Sequence, residues 1–561
     1  MRDDVEKSIW KHAVRNALKH DAEADVNAVL GGVMSEHRDL SPKEIMGDIQ
    51  ELLSEVNKLS EEELKHKAEE FDISFESEEE DGVLPDLPGE GEGSVITRAA
   101  PNPNGPFHLG NARAYILSYL YAERNGGNFI LRYDDTNPSS PEKSPKKKFY
   151  SWIEEDLKWL GCKPDIVIKS SDRLDVYYEF AYELIESGDA YVCECSPEKW
   201  KDLRDQSKGC PCREMDPDKH VKRWHKMQDG EYEQGEAVVR IKTDIKHKNP
   251  ARRDWPALRI LKDHEHPYVS KDYNVWPLYN FASAIDDHEL NVTHIFRAKE
   301  HSTNTENQKD LYNLFGWKYP ETIHHGFLSL KGAVLSTSTI RNGIQTGKYE
   351  GWDDPRLGTI KALKRRGFQA KAIEKLIRKY SIKGSNAEVS MEEFTSINRK
   401  IVDPIANRYF FVEEPFCIEV KGSKKKGTIE LPMHPEKDDK RTVEVGDRFL
   451  VEKKDIEDNR GKTIRLKGLY NIKVPENGNN CEFAGDSIVQ DMPKVHWLPN
   501  SENEEITEAE IMMPDAGKKR GKVEKNVLDE QIDNVLQFER FGFVRLDEKS
   551  ERGPKFWFAH K

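Results

Sequence analysis

Long apolar runs are missing from this chain. Crossing a membrane takes a helix of about 18 apolar residues, and no such stretch occurs; nor does any apolar run near the start resemble a signal peptide. Cysteine is scarce as well, at seven of 561 residues, which excludes a secreted scaffold held together by disulfides. The expectation is a cytoplasmic protein. Excess positive charge is absent too, the formal net charge being −15. A nucleic-acid binder is usually basic where it meets phosphate, so that total points away from such a partner. The charge is uneven, however. Residues 61–81 hold 11 acidic side chains against Lys65 and Lys67, and the other 540 residues carry only −6. Local basic faces are therefore compatible with the composition, and total charge does not decide the partner.

What is present suits several lobes. A chain of this length exceeds one hydrophobic core, and roughly three to five domains are expected. Residues 1–60 read as helices, with Val5, Ile9, Trp10, Ala13, Val14 and Leu18 at helical spacing. Ser41-Pro42-Lys43-Glu44 has the form of a capping box, followed by the stripe Ile45, Ile49, Leu52, Leu53 and Val56. The acidic run and Leu84–Gly93 read as a flexible linker. From Ser94 the pattern changes to an apolar strand opening at Val95 and Ile96, a Pro/Asn/Gly turn, a helix from about Gly110 to Glu123 and a strand at Phe129–Leu131, one βαβ unit of a parallel sheet. Residues 174–188 are again helical. Beyond about 400, short alternating runs (Phe410–Val420, Thr428–Leu431, Thr463–Val474) predict β-barrels, with 422–427 as an exposed loop.

The turn that joins the first strand to the first helix, Thr97-Arg-Ala-Ala-Pro-Asn-Pro-Asn-Gly-Pro-Phe-His-Leu-Gly-Asn-Ala-Arg113, lies where doubly wound folds bind nucleotides. Free N–H groups at a helix start favour phosphate. Gly105 and Gly110 permit close approach, and His108 can donate to an α-phosphate as charge develops on it. By itself, His-Leu-Gly-Asn is more often an ordinary βα loop with an incidental histidine.

The surrounding motifs change that weighting. Arg98–Arg113 resembles the HIGH region of the glutamyl/glutaminyl subfamily of class I aminoacyl-tRNA synthetases, and the resemblance runs through nearly the whole chain. Leu131-Arg-Tyr-Asp-Asp-Thr-Asn-Pro138 looks like the second-strand motif. Trp276-Pro-Leu-Tyr-Asn-Phe-Ala282 and Ile285-Asp-Asp-His288 look like the amino-acid pocket, and Gly351-Trp-Asp-Asp-Pro-Arg356 is similar to the stem segment. Gln537–Arg545 and Phe558–Lys561 resemble the end of archaeal and eukaryotic glutamyl enzymes. One departure is Asn111, where HIGH ends in histidine; an amide still donates. Val334-Leu-Ser-Thr-Ser338 falls at the KMSKS-type loop with Thr337 in place of lysine, so hydroxyls and amides would cradle phosphate, and Lys331 or Arg341 would supply the charge.

The resemblance implies a multidomain α/β chain: a Rossmann-type parallel sheet with an insertion, a helical stem, C-terminal β-barrels and a helical N-terminal extension. Its boundaries would be 1–85 (N-terminal helices and acidic linker), 86–168 and 273–335 (catalytic halves), 169–272 (acceptor-stem insertion), 336–400 (stem) and 401–561 (anticodon-binding barrels). ATP with Mg2+ would meet Pro101, Gly105, His108, Gly110, Asn111, Leu335, Ser336, Thr337 and Ser338, with His108 and Asn111 catalytic. An α-amino acid needs an anion for its ammonium and a cation for its carboxylate; Asp134 and Tyr279 would take the former, Arg98 the latter. Arg297 falls where glutamyl enzymes place an arginine against the side chain, and it selects glutamate, because a neutral amide would leave a buried guanidinium unpaired. Arg540 and Arg545 are candidates for tRNA contacts, although for any single residue of that segment a structural role is the better reading.

Cys193-Glu-Cys195 and Cys210-Pro-Cys212 supply four thiolates on two short arms, a spacing that suits structural tetrahedral zinc with Ser196–Arg204 as a small helix between them. The expected activity is therefore ATP-dependent ligation of glutamate to its tRNA, with glutamine tRNA as a further acceptor left open, by a monomer. Three alternatives compete: a glutaminyl enzyme, disfavoured by Arg297; a small-molecule adenylate-forming ligase, which has no use for the C-terminal β-rich part; and a non-catalytic RNA-binding paralogue.

Overall fold

The computed structural model describes residues 3–19, 24–37, 42–70, 82–89, 93–500 and 506–561. The chain divides into two compact units, 1–83 and 84–561. The first consists of helices α1 (Asp3–Lys19), α2 (Val26–Glu36), α3 (Pro42–Val56) and α4 (Glu61–Glu70). Val5, Ile9, Ala13, Val14, Ile45, Ile49, Leu53 and Val56 meet in its core, as their spacing predicts. The expected capping box at Ser41 lies outside the described residues, though Pro42 opens α3. The start of the acidic run is helix rather than linker. Ser60 N–H donates to Glu63 Oε2 (2.8 Å) and Glu63 N–H to Ser60 Oγ (3.4 Å), a reciprocal cap, and Leu64 and Ala68 are fully buried. Two apolar positions four apart are enough to dock a helix whose other face is acidic.

The second unit begins with β1 (Thr97–Ala99), α5 (Leu109–Arg124), β2 (Phe129–Tyr133), α6 (Lys147–Trp159), β3 (Ile166–Lys169) and α7 (Leu174–Glu186). Strands β1, β2 and β3 form a parallel sheet in that order. Every residue of β2, Phe-Ile-Leu-Arg-Tyr, is buried, as a parallel strand covered on both faces requires. An insertion follows: β4 (Ala190–Cys193), α8 (Pro197–Asp205), α9 (Pro217–Gln228), β5 (Val238–Ile241), β6 (Pro256–Ile260) and β7 (Val275–Pro277), whose strands make one antiparallel sheet. Trp276 pairs with Arg259 in that sheet and is fully buried, so the chain leaves the insertion only after Pro277.

Next come α10 (Tyr279–Glu289), β8 (His294–Ala298), α11 (Ser302–Phe315) and β9 (Glu321–His325); β8 and β9 are a parallel pair. Ile96 O accepts from Thr293 N (2.9 Å) and His294 N (3.2 Å), which sets β8 beside β1, on the side away from β2. The β1–β2 ladder starts at Thr97, two residues after the expected Val95. The order reverses at β1, and the carboxyl ends of β1 and β8 flank the crevice in which such folds bind ligands.

The stem carries β10 (Leu328–Leu330), α12 (Thr337–Gln345), α13 (Ile360–Arg365), α14 (Ala370–Tyr380), β11 (Ala387–Val389) and α15 (Met391–Val402). Beyond it are two seven-stranded barrel-like sheets and the hairpin Gly427–Pro432/Lys440–Val445. They are interleaved. Arg408–Tyr409 and Phe411–Val412 pair with Val535–Phe538 and Lys518–Glu524 of the last sheet, whereas Pro415–Lys421 enters the other. The last sheet is fastened to the stem by Arg365, which bonds Asp353 (2.7 Å) and Asp547 (2.8 Å). Among the described residues no helix is long and apolar enough to cross a membrane.

Candidate active site

The loop after β1 is shaped by a side chain folding back on itself. His108 is the N-cap of α5. Its Nδ1 accepts from Asn111 N (3.3 Å), while Asn111 Oδ1 accepts from His108 N (2.9 Å). With Nδ1 an acceptor, the proton of the neutral ring belongs on Nε2, which is left as a donor. Burial pulls the imidazole pKa down to about 4, so the ring is neutral near pH 7. A Cβ at Gly110 would stand 3.2 Å from both His108 Nδ1 and Leu328 O, closer than ordinary van der Waals contact. Asn111 thus uses its oxygen to hold His108, leaving its amide N–H groups as the donors it can offer a ligand.

The two signature segments face each other across Leu357–Ile360. Gly358 N donates to Val334 O (3.0 Å), Leu109 N to Gly358 O (3.0 Å) and Ile360 N to Phe107 O (2.9 Å). Thr337 lies against Gly105, whose hypothetical Cβ would be 2.6 Å from the threonine methyl. Ser336 caps α12, accepting from Thr339 N (3.4 Å), and its Oγ is 3.1 Å from that of Ser338. Leu335 closes over Gly358. Of the two cations expected to replace the missing lysine, Lys331 is exposed, while Arg341 reaches the glycine loop and donates to Asn104 O (2.5 Å). Pro101 O accepts from Asp134 N (3.0 Å), tying this loop to the end of β2.

Beside the loop is a buried charge cluster. Arg98, Arg132 and Arg297 are 4%, 0% and 4% exposed. Asp287 Oδ1 accepts from Arg98 Nε (3.0 Å) and Arg132 Nη1 (2.6 Å), and Arg132 Nε donates to Asp134 Oδ1 (2.8 Å). Asp286 accepts from Arg173, Ser170 and Tyr177 and also lies 3.7 Å from Arg132 Nε. With Arg173 counted, four guanidinium groups therefore face three carboxylates, Asp134, Asp286 and Asp287. Arg297 donates from Nη1 to Thr305 Oγ1 (3.2 Å) and Gln308 Oε1 (2.9 Å), while its Nε and Nη2 are buried without a partner. Asp134 Oδ2 is likewise buried and unpartnered, and burial outweighs its arginine neighbours to push the carboxyl pKa up. Tyr279, exposed on the first turn of α10, has its ring 5.8 Å from that of His301, whose pKa is pulled down to about 4 by burial and by Arg297 and Arg98. Unpaired buried donors and acceptors cost about 1–3 kcal/mol each, so their concentration here marks a place for a polar ligand.

Sequence reading assigned no role to Arg132, His301 or Gln308, and read Asp287 only as part of the pocket-like segment Ile285–His288. The signal for Arg132 was a lone charge within an otherwise apolar buried strand, which must be paired. Arg98, read as a carboxylate binder, donates in this structure to Asp287.

In the insertion, Cys193, Cys195, Cys210 and Cys212 present four sulfurs within 4.8 Å of one another, with Cys193 and Cys210 Sγ 3.7 Å apart. Tetrahedral zinc with Zn–S of about 2.3 Å needs sulfurs about 3.8 Å apart, so the donor set fits. None of the cysteines is in a disulfide. The second arm is anchored by Arg213, which donates to the fully buried Asp254 (2.9 Å), itself bonded by Tyr191. Ser196 caps α8, the helix expected between the arms. At the far end of the chain, Arg540 is bonded to Asp455 (2.6 and 2.7 Å), and Arg545 pairs with Asp547 (2.6 Å) and Asp533. Both guanidiniums are paired to carboxylates of the protein, Arg545 buried and Arg540 exposed, and Phe538 and Phe543 are core residues.

A family model described as "tRNA synthetases class I (E and Q), catalytic domain" matches residues 94–404, and two described as "tRNA synthetases class I (E and Q), anti-codon binding domain" match 406–486 and 494–547. The chain is 47% identical to a glutamate–tRNA ligase of Thermococcus onnurineus and 48% identical to one of Pyrococcus horikoshii, each over 100% of both chains. A solved glutamate tRNA ligase of Elizabethkingia meningosepticum, in complex with its amino acid, aligns with 56% of this chain and 71% of its own, at 21% identity and a TM-score of 0.41.

Proposed function

This chain belongs to the class I tRNA synthetases of the E and Q family, and on that footing we propose that it activates glutamate with ATP and joins it to tRNA. An oxygen of the glutamate α-carboxylate attacks the α-phosphorus of Mg2+-bound ATP. The bond to the bridging oxygen breaks and pyrophosphate leaves. A hydroxyl of the terminal ribose of tRNA then attacks the carbonyl of glutamyl-adenylate, AMP departs, and the hydroxyl proton is released. No covalent bond to the enzyme is needed.

The observation that carries the glutamate reading is Arg297: buried, charged, held by neutral groups, with its Nε–Nη2 edge unpartnered. That edge is the one that grips a carboxylate side-on. Glutamate, with two carboxylates and one ammonium, brings the net negative charge that four guanidiniums facing three carboxylates require; the glutamine zwitterion brings none. Asp134 Oδ2 takes the ammonium, with Tyr279 beside it, and Arg98 borders the carboxylate. His108 directs Nε2–H at the α-phosphate, where charge grows in the transition state. Asn111, the Pro101–Gly110 backbone and the Leu335–Ser338 loop hold ATP. The two barrel-like sheets hold the anticodon arm, a role supported by the anticodon-domain matches over 406–547.

Incubation with tRNA, ATP, Mg2+ and labelled glutamate tests this: charged tRNA is expected, and its absence across several buffers would refute the activity. Asp134→Asn should lower kcat/KM about 10- to 100-fold for glutamate, through loss of a charge-assisted bond to the ammonium. A kcat/KM equal to wild type in that variant would remove Asp134 from the pocket.

The four-cysteine cluster supports a structural zinc. Four thiolates fill a tetrahedron and leave no open position for catalysis, so the metal would stiffen the insertion. Protein purified without chelator should contain one zinc per chain, and Cys210→Ser should lower the metal content and loosen residues 190–215 while ATP binding persists. Metal-free protein with all four thiols freely titratable would contradict this.

A further inference from the structure

The unpartnered edge of Arg297 raises the question of what keeps it free. The answer lies on α11 and at Tyr319, just before β9. Gln308 is completely buried. Its Oε1 accepts from Arg297 Nη1 (2.9 Å) and from the Tyr319 hydroxyl (2.8 Å). Two donors on one oxygen fix the orientation of the amide, turning Nε2 away from the arginine, where it has no partner. The second hydrogen-bond acceptor of Arg297, Thr305 Oγ1, is also uncharged. A carboxylate whose electrostatic influence reaches Arg297, Asp287, is already shared by Arg98 and Arg132. Arg297 is thus held by two neutral acceptors, and its charge is not cancelled. A glutamate at 308 could occupy the same space, keep the bond to Nη1 and neutralise the guanidinium.

We propose that Gln308 is a positioning residue that sets the preference for an acidic side chain, by anchoring Arg297 through a neutral oxygen so that its positive charge is left for the ligand. The inference rests on the glutamate reading of Arg297 given above. Gln308 does not touch the substrate. It acts on the charge of the group that does, and a neutral amide ligand is disfavoured because it leaves that charge buried and unbalanced.

Two variants and a control test this in amino-acid-dependent charging, with kcat and KM measured separately for glutamate, glutamine and ATP. Gln308→Glu should lower kcat/KM for glutamate about 100-fold, the range for a lost charge-assisted pair, while glutamine use falls less or rises; KM for ATP should stay at its wild-type value. Gln308→Met keeps the volume and the free charge but removes the anchor. It should raise KM for glutamate about tenfold and keep glutamate preferred over glutamine. Arg297→Gln is the control on the premise. If it leaves glutamate use intact, the glutamate reading fails. If it cripples glutamate use while Gln308→Glu, folded by thermal melting, keeps the wild-type ratio of glutamate to glutamine, the role of Gln308 is overturned. Should Gln308→Glu not fold, an unchanged KM for glutamate in Gln308→Met overturns it equally, and the expected rise supports it.

Discussion

Arg297→Gln should cut kcat/KM for glutamate by tens- to thousands-fold. The native guanidinium sits 4% exposed, with its carboxylate-binding edge buried and unpartnered. A ligand carboxylate bound there forms two charge-assisted bonds in a desolvated place, and removing one partner of such a pair costs about 2–5 kcal/mol. The loss should be carried largely by KM, because the γ-carboxylate is bound in the ground state and the transition state alike. Glutamine, which gains little from the charge, should lose less, and its ratio to glutamate should rise. Steady-state charging with both amino acids measures this. An unchanged kcat/KM for glutamate would remove Arg297 from the pocket.

His108→Ala should behave oppositely, with kcat falling about 100- to 1000-fold and KM for glutamate nearly unchanged. Its Nε2–H acts on charge that exists only in the transition state, and loss of one such donor costs about 10²–10³ in turnover. The same substitution removes a helix cap, a loss of about 1 kcal/mol in stability. His108→Asn separates the two effects: asparagine caps well, so stability should return while turnover does not. The pH dependence adds a further mark. With its pKa pulled down to about 4, His108 is neutral from pH 5 to 8, so no ionisation of this group should shape the rate in that window. Between its ordinary value and about 4, the unfolded chain binds a proton that the folded chain refuses. This residue's contribution to stability should therefore decline as pH falls from about 6.5 toward 4. A kcat equal to wild type in either variant would exclude His108 from the chemistry.

How far the sequence could carry these conclusions varied with the range of the forces involved. Local signals were readable. The helices of residues 1–60 follow from apolar spacing, and the nucleotide loop from its place between strand and helix. The four cysteines, read from spacing alone, do meet in space. The helix Glu61–Glu70 was hidden because its acidic face outweighs two buried positions, although Ser60 and Glu63 carry the capping signal. Partners distant in the chain were not readable. Arg98 meets Asp287 across 189 residues, and Arg441 meets Glu524 across 83. The strands at 408–412 complete a sheet with residues beyond 500, a pairing no local pattern encodes. Gln308 carried no signal at all. An amide on a helix reads as solvated, and only the fold places it 2.9 Å from Arg297.

The central claim is that a surplus of buried positive charge selects an acidic amino acid for transfer to tRNA. Its most direct test is side-by-side charging of the same purified tRNA with labelled glutamate and labelled glutamine by the intact protein, with ATP and Mg2+ at neutral pH. The charge balance around Arg297 predicts accumulation of glutamyl-tRNA, with a kcat/KM for glutamate at least 100-fold above that for glutamine, the discrimination expected of one buried charge-assisted pair. Equal charging with both amino acids, or preference for glutamine, would contradict it.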